Sequence, residues 1–152
     1  MIKNILKEES IILDLTSKNK LDVLKELLDV ICMTDGTIDK DIALKVLLDR
    51  EKLGSTGIGE NIAIPHCKYK GIDRILASFG RSTEGIDFEA IDRRPTHLFF
   101  LLLLPDNSAG LHLKILARIS RMLKNANIRD RILKSNSREE IYKIITEEDK
   151  GY

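Results

Sequence analysis

The chain has 152 residues, of which 32% are charged and 43% hydrophobic, with a formal net charge of +1. This length predicts a single domain over residues 1–152, and the near-neutral charge gives no overall attraction to nucleic acid or to membranes. The longest apolar run, Leu98 to Leu104, is too short to cross a bilayer, and the first residues lack the apolar segment of a signal peptide. Two distant cysteines support no disulfide, so we expect a reduced, cytoplasmic protein.

The first third of the chain predicts one strand followed by two helices. Ile11 to Leu15 is typical of a strand, and Thr16 or Ser17 is expected to cap a helix that ends near Met33. Asp39 is expected to open a second helix that ends near Lys52. The residues at helical spacing, which should form the buried faces, are Leu21, Leu24, Leu27, Leu28 and Ile31 in the first helix and Ile42, Ala43, Val46 and Leu47 in the second.

The middle of the chain predicts three further strands, at Ile62–Ile64, Ile75–Arg81 and His97–Leu104. Turn residues between Thr83 and Pro95 indicate a connection with one short edge piece at Ile86–Phe88. Because helices precede and follow these strands, we expect an α/β fold with helices on both faces of a sheet. The pattern alone does not give strand order or direction.

Three helices are expected after the last strand. Asn107 or Ser108 should cap a long one, whose apolar side carries Leu111, Ile115, Ile119 and Leu123. Two shorter helices are predicted near Ile128–Lys134 and Ser137–Thr146, and residues Glu147 to Tyr152 are expected to be frayed.

A glycine-rich loop follows the second predicted helix. Gly54, Gly57 and Gly59 permit backbone conformations closed to other residues, so this loop can turn N–H groups toward an anion, and Ser55 and Thr56 add hydroxyl donors. The loop lies between a helix and a strand and lacks a Gly-Lys-Ser/Thr ending, which excludes a nucleotide-binding P-loop. On these residues alone, a structural turn is as good an interpretation as an anion site.

Two histidines and an arginine favour the anion site. Pro65 restrains the backbone, so His66 should emerge at a defined strand end. Arg50 closes the preceding helix and can reach over the loop as a phosphate ligand. His112 lies near the start of a helix, where the dipole depresses imidazole basicity, although a packed histidine beside apolar neighbours is an equal alternative.

Other uses of these residues have weaker support. A hydrolase built on Ser55 or Ser78 with His66 lacks a nucleophile-elbow sequence and an acid partner. A zinc site built on His66, Cys67 and His112 lacks a fourth ligand. A run of basic residues permits nucleic-acid binding, but no aromatic residues interleave, so a solvated helix face is favoured. These basic residues are Lys114, Arg118, Arg121, Lys124, Arg129, Arg131 and Lys134.

The run from Gly54 to His66, GSTGIGENIAIPH, closely resembles the active-site signature of phosphotransferase-system EIIA domains of type 2, the fructose/mannitol/nitrogen-regulatory family. The likeness continues through Gly85–Asp92, Leu98–Pro105 and His112–Leu116 and covers essentially the whole chain. It is closest to the stand-alone nitrogen-regulatory EIIA proteins. The resemblance implies an α/β fold with a mixed central β-sheet between helices on both faces.

The resemblance also implies a reaction. In this family the residue matching His66 accepts a phosphoryl group from the phosphohistidine of HPr or an NPr-like paralogue, and no nucleotide, metal or other cofactor is required. The groups expected to surround the phosphoryl group are Arg50, His112, Ser55, Thr56, Gly57 and Gly59.

Two roles follow from the resemblance. In a regulatory switch, phosphorylation changes a protein-binding surface read by a sensor kinase or a potassium transporter. In sugar transport, the phosphoryl group passes to an EIIB domain. We expect the regulatory role, with the transport role as the first alternative and an interaction module that is not phosphorylated as the second. None of these roles requires nucleic acid or membrane insertion.

Overall fold

The computed structural model describes residues 1–149, in which five α-helices surround one six-stranded sheet. Two short 3₁₀ turns, Ile2–Asn4 and Glu8–Ser10, precede the first strand. The strands are β1 (Ile11–Ile12), β2 (Gly57–Gly59), β3 (Ile62–Ala63), β4 (His66–Lys68), β5 (Leu76–Ile86) and β6 (Thr96–Leu104). The helices are α1 (Lys20–Thr34), α2 (Lys40–Lys52), α3 (Ala109–Lys124), α4 (Ala126–Leu133) and α5 (Arg138–Glu148).

The sheet is mixed, which confirms the predicted fold class. Its strand order is β1-β5-β6-β3-β2, and β4 also pairs with β6. β5 and β6 are antiparallel, whereas β1 runs parallel to β5, and both β3 and β4 run parallel to β6. β6 therefore lies at the centre and supports the short strands that flank the glycine loop.

Both faces of β6 are covered by helices. Leu98, Phe100, Leu102 and Leu104 belong to the core formed with α3, α4 and α5. The intervening residues, 99, 101 and 103, belong to the core formed with α1 and α2. All seven side chains are fully buried, as expected for a strand without polar alternation. The helices thus lie on both faces, as the sequence predicts.

The helix starts confirm one predicted cap and correct another. Asp39 caps α2 as predicted, and its side chain accepts an N–H from the first turn. The caps proposed for α1, Thr16 and Ser17, are wrong, because their backbone N–H groups donate to the carboxylate of Glu26. Asn19 caps α1 instead, so the helix begins two residues later than predicted.

Strand boundaries differ from the prediction where pairing extends or interrupts them. The first strand ends at Ile12 and not at Leu15. β5 continues to Ile86, which pairs with Thr96 across a register shift, so Ile86–Phe88 is not a separate edge piece. β2 and β4 are not predicted as strands, since each has only three residues and is defined by its partner strand.

Three residues assigned to buried helix faces are exposed. Leu21, Ile42 and Leu111 have exposed fractions of 42%, 55% and 47%. Each lies in the first turn of its helix, before the buried stripe begins. Within the described residues, no helix combines the length and apolarity needed to cross a membrane.

The end of the described chain is ordered, contrary to the prediction of fraying from Glu147. α5 includes Glu147 and Glu148, and Asp149 is buried. Its carboxylate accepts the backbone N–H of Ile2 at 2.8 Å and is paired with Arg118. Residues 150–152 lie outside the described part of the chain.

Candidate active site

Strand pairing fixes the backbone of His66. His66 is the first residue of β4 and lies opposite Leu102 in the parallel register with β6. Just before it, the carbonyl of Pro65 accepts the N–H of Leu102 at 2.9 Å. The next residue, Cys67, is buried in the α1/α2 core, and burial raises the pKa of its thiol to about 12. His66 is half-buried, so a backbone anchored on both sides presents a partly accessible imidazole.

The hydrogen bond of His66 determines which ring nitrogen is free. Its Nδ1 lies 2.7 Å from the carbonyl oxygen of Ile64. A carbonyl only accepts, so Nδ1 carries the proton and Nε2 keeps a lone pair. Burial lowers the pKa of His66, the bond to Ile64 raises it, and the charge of Arg50 lowers it again, with a net lowering. The imidazole is therefore neutral near pH 7.

His112 lies beside His66, as the resemblance implies. The backbone N–H of His112 donates to the carbonyl of Ser108 at 2.7 Å, at the start of α3. The two imidazole rings have centroids 5.4 Å apart and planes at 76°. Burial lowers the pKa of His112, and the nearby His66, Lys68 and Arg50 lower it further. Two imidazoles that favour the neutral form thus stand side by side.

Arg50 reaches back over the loop, as predicted from the sequence. It lies in the last turn of α2, and its Nη1 donates to the carbonyl of Gly54 at 2.8 Å. Gly54 has φ of 149°, a value that favours glycine, and this residue turns the chain out of the helix. The guanidinium is thereby held next to the loop that leads to His66.

Two cavities meet at His66 and Arg50. One has a volume of about 190 Å³ and is also lined by Ser55, Thr56 and Ser120. The other has a volume of about 490 Å³ and contains His112 among its lining residues. The structure therefore brings together the two histidines, the arginine and the hydroxyl residues that the sequence singled out. Gly57 and Gly59 lie outside both linings.

The hydroxyls of the loop form hydrogen bonds within the protein, and their expected role as donors to a bound phosphoryl group stays a prediction. Ser55 Oγ donates to the carbonyl of Phe88 at 2.8 Å and accepts the N–H of Gly57 at 3.0 Å. The hydroxyl of Thr56 donates to Glu51. A Cβ on Gly57 would lie 2.9 Å from the Cα of Ala90, so this glycine allows close packing and does not line the site.

Two charged residues that sequence reasoning missed support the loop. The carboxylate of Glu51 is buried, accepts the N–H of Thr56 at 3.0 Å and pairs with Lys20 Nζ at 2.9 Å. A signal for Glu51 was present, because an acidic residue in the last turn of a helix opposes the helix dipole and needs a partner. No local pattern indicated that Lys20 is this partner.

The alternative sites gain no support from the described residues. Among residues 1–149, no group of three or more His, Cys, Asp or Glu side chains is arranged to hold a metal ion. Several cations of the proposed basic face are neutralised by acidic partners. These ion pairs are Arg118–Asp149, Arg129–Glu60, Arg131–Glu148 and Lys134–Asp130.

Relatives of known type match nearly the whole chain. It is 36% identical over 144 residues to a nitrogen regulatory protein of Bradyrhizobium diazoefficiens, covering 95% of this chain and 94% of that protein. It is 35% identical over 139 residues to the fructose-specific EIIA component of Haloferax volcanii, covering 91% and 90%. It also matches the fructose-specific EIIABC component of Bacillus subtilis, at 36% identity over 149 residues, but spans only 24% of that protein.

Solved structures share the fold. The nitrogen regulatory protein IIA-Ntr of Neisseria meningitidis superposes with a TM-score of 0.88 at 32% identity, covering 95% of this chain and 98% of that chain. IIA mannitol of Escherichia coli superposes with a TM-score of 0.74 at 21% identity, covering 91% and 97%. The family described as phosphoenolpyruvate-dependent sugar phosphotransferase system, EIIA 2, matches residues 4–148. The chain thus belongs to the type 2 EIIA family of the phosphotransferase system.

Proposed function

We propose that His66 accepts a phosphoryl group on Nε2 from the phosphohistidine of HPr or an NPr-like carrier, and that the protein acts as a nitrogen-regulatory-type switch. The observation that carries this proposal is the bond from Nδ1 to the carbonyl of Ile64, which leaves Nε2 as the nucleophilic nitrogen. Family membership supplies phosphoryl transfer as the reaction class.

The transfer needs only groups present in the two proteins. Nε2 of His66 attacks phosphorus as the P–N bond to the donor imidazole breaks, and the electron pair of that bond returns to the donor nitrogen. The Nδ1 proton stays on the bond to Ile64 throughout. The guanidinium of Arg50 and the imidazole of His112 line one cavity with His66, and we expect them to stabilise the phosphoryl oxygens.

The surroundings of His66 fit a protein donor. Leu53 lines the larger cavity and is 85% exposed. Leu111 and Leu113 flank His112 and are also exposed. Exposed apolar side chains around polar reacting groups are typical of protein–protein interfaces. This surface supports docking of a carrier protein at the site.

A labelling experiment tests the acceptor. The purified protein is incubated with phosphorylated HPr carrying a radioactive phosphoryl group, and labelled peptides are mapped under alkaline conditions that preserve phosphohistidine. We expect His66→Ala to remain folded and unlabelled. His97→Ala is the matched control, because His97 bonds the carbonyl of Ser82 between β5 and β6 and does not line the site. Full labelling of His66→Ala would show that His66 is not the phosphoryl acceptor.

The regulatory role is favoured by the superposition on IIA-Ntr of Neisseria meningitidis. The alternative is a sugar-transport EIIA, because fructose-specific relatives have similar identity, and IIA mannitol of E. coli has been solved in complex with phosphorylated IIB mannitol. Incubating phosphorylated protein with a purified fructose-type EIIB domain distinguishes the roles. Rapid transfer supports transport, whereas phosphorylation-dependent capture of a sensor kinase or potassium transporter supports regulation.

A further inference from the structure

A continuous series of polar contacts connects a buried ion pair to the ring of His66. Lys20 Nζ lies 2.9 Å from Glu51, whose carboxylate accepts the N–H of Thr56 at 3.0 Å and also its hydroxyl. The carbonyl of Thr56 accepts the N–H of Ile64 at 3.0 Å. The carbonyl of Ile64 accepts the Nδ1 proton of His66 at 2.7 Å. The series begins between α1 and α2, crosses the glycine-rich loop and ends at the first residue of β4.

Burying the carboxylate of Glu51 at this position lowers the stability of the fold. Its side chain is only 4% exposed, and it lies in the last turn of α2, where a negative charge opposes the helix dipole. Lys20, whose side chain is 16% exposed, offsets this charge and also lies 4.7 Å from the centre of the Phe88 ring. A neutral residue would fill this position without the cost, so the carboxylate has another role.

That role is to hold Thr56. Glu51 accepts hydrogen bonds from both donors of Thr56, its N–H and its hydroxyl, and so restrains the residue whose carbonyl, in the following peptide unit, accepts the N–H of Ile64. The same carboxylate is paired with Lys20, and its negative charge raises the pKa of His66, against the net lowering caused by burial and by Arg50. The restraint reaches the imidazole through hydrogen bonds and not through direct contact.

We propose that Glu51 is a positioning residue for phosphoryl acceptance: acting through Thr56 and Ile64, it keeps His66 in the Nδ1-protonated tautomer with Nε2 as the acceptor. The inference rests on the proposed function in assigning the acceptor role to His66. A free imidazole favours the proton on Nε2, which would block attack from that nitrogen. The protein must therefore impose the other tautomer, and the carbonyl of Ile64 does so only when held in place.

Nitrogen-15 NMR of the unphosphorylated protein reports the tautomer of His66 directly, and transfer from phosphorylated HPr reports the rate. We expect Glu51→Ala to shift His66 toward the Nε2-protonated form and to slow transfer by about 10- to 100-fold, the usual effect of losing an outer partner of a reacting group. Glu51→Gln keeps an acceptor oxygen for Thr56, so we expect it to retain most of the native tautomer and rate.

Asp149→Asn is the matched control. Asp149 is a carboxylate of equal burial, 4% exposed, paired with Arg118, and it does not line either cavity at His66. We expect Asp149→Asn to have the same His66 tautomer and the same rate of phosphoryl transfer as the unaltered protein. If Asp149→Asn changed both as much as Glu51→Ala does, general loosening would explain the effect and the inference would be overturned.

A second variant guards against misfolding of Glu51→Ala. Thr56→Val keeps the side-chain volume and leaves the Lys20–Glu51 pair intact, and it should shift the tautomer in the same direction by a smaller amount. A native tautomer in folded Glu51→Ala, or in Thr56→Val, would overturn the inference. The tautomer is measured in the unphosphorylated protein, so this result does not depend on whether His66 is the acceptor. If another residue were the acceptor, the labelling experiment would show the phosphoryl group at that residue.

Discussion

Arg50 and His66 line the same two cavities. Because they lie close together, the positive charge of Arg50 lowers the pKa of His66. Burial is the larger cause of the lowered pKa of His66, and the guanidinium adds to it. The same positive charge is suited to the oxygens of an incoming phosphoryl group. A single side chain thus favours both the nucleophilic form of the acceptor and the binding of its substrate.

The pH profile tests this coupling. Because the pKa of His66 lies below its ordinary value of 6.5, the acceptance rate should decline as the pH falls, with a midpoint below 6.5. Arg50→Gln removes a positive charge, raises the pKa of His66 and moves the decline to higher pH, with a lower plateau. Lys52→Gln, an exposed neighbour, is the control. An NMR midpoint of 6.5 or more for His66 in the unaltered protein would contradict this account.

His112 is expected to assist without carrying the phosphoryl group. His112→Ala should fold and be labelled on His66, but about 100-fold more slowly, because one donor to the developing charge is lost. Assays in which transfer from saturating phosphorylated HPr is quenched at set times measure this rate. His97→Ala serves again as the control, and an unchanged rate in His112→Ala would show that the second imidazole takes no part.

At the scale of elements, the glycine-rich segment from Gly54 to Glu60 depends on close packing against the segment after β5. The N–H of Ile91 donates to the carbonyl of Gly57 at 3.0 Å, and the N–H of Glu60 donates to Asp92 at 3.0 Å. These bonds join the glycine loop to residues 88–92. The acceptor site is therefore supported by a segment that contributes no reacting group.

Gly57→Ala tests that support. The new Cβ would lie 2.9 Å from the Cα of Ala90, so the two segments must separate, at a cost of about 1–3 kcal/mol in the free energy of unfolding. Gly36→Ala is the matched control, since a Cβ at Gly36 has no neighbour within 4 Å and its φ is not positive. Urea unfolding followed by circular dichroism measures both, and equal stability of the two variants would refute the packing argument.

The sequence predicted those elements whose signals are local. Asp39 at the start of α2 and the apolar run of β6 were found correctly, because capping and continuous burial depend on neighbouring residues. β2 and β4 were missed, since three residues around glycine or after proline show no periodicity and gain their conformation from a partner strand, β3 for β2 and β6 for β4. The prediction at Thr16 and Ser17 was wrong because the side chain of Glu26, ten and nine residues away, accepts their backbone N–H groups.

The same distinction applies to the site. His66, Arg50 and His112 were singled out as candidates because proline, a helix end and a helix start mark them locally, and the structure brings them together. Lys20 and Glu51 were not singled out, because their pairing joins the first turn of α1 to the last turn of α2. Only tertiary packing of the two helices brings those residues together.

At the scale of the whole molecule, Asp149 connects the last helix to the first residues and to α3. Burial raises the pKa of Asp149, but hydrogen bonds from Arg118 and Ile2 outweigh it and leave the pKa lowered. A depressed carboxyl pKa stabilises the fold above the unfolded value, and this stabilisation is lost as the pH falls through the folded value.

We therefore expect Asp149→Asn to lower the free energy of unfolding by up to about 3 kcal/mol at pH 7. The difference from the unaltered protein should be constant between pH 7 and pH 5 and should shrink as the pH falls below the ordinary carboxyl pKa of 3.8. Urea unfolding at several pH values measures it, with Asp14→Asn, an exposed partner of Arg81, as the control. A difference that grows in acid would contradict the assigned ion pair.

The bond between the Ile2 N–H and Asp149 also brings residues 2 and 149 together. A unit whose chain enters and leaves at the same place can be inserted into a longer polypeptide, or have its order of elements permuted, without disturbing its sheet. A single hinge at that point would let the unit swing between a donor and a recipient while its own fold stays unchanged.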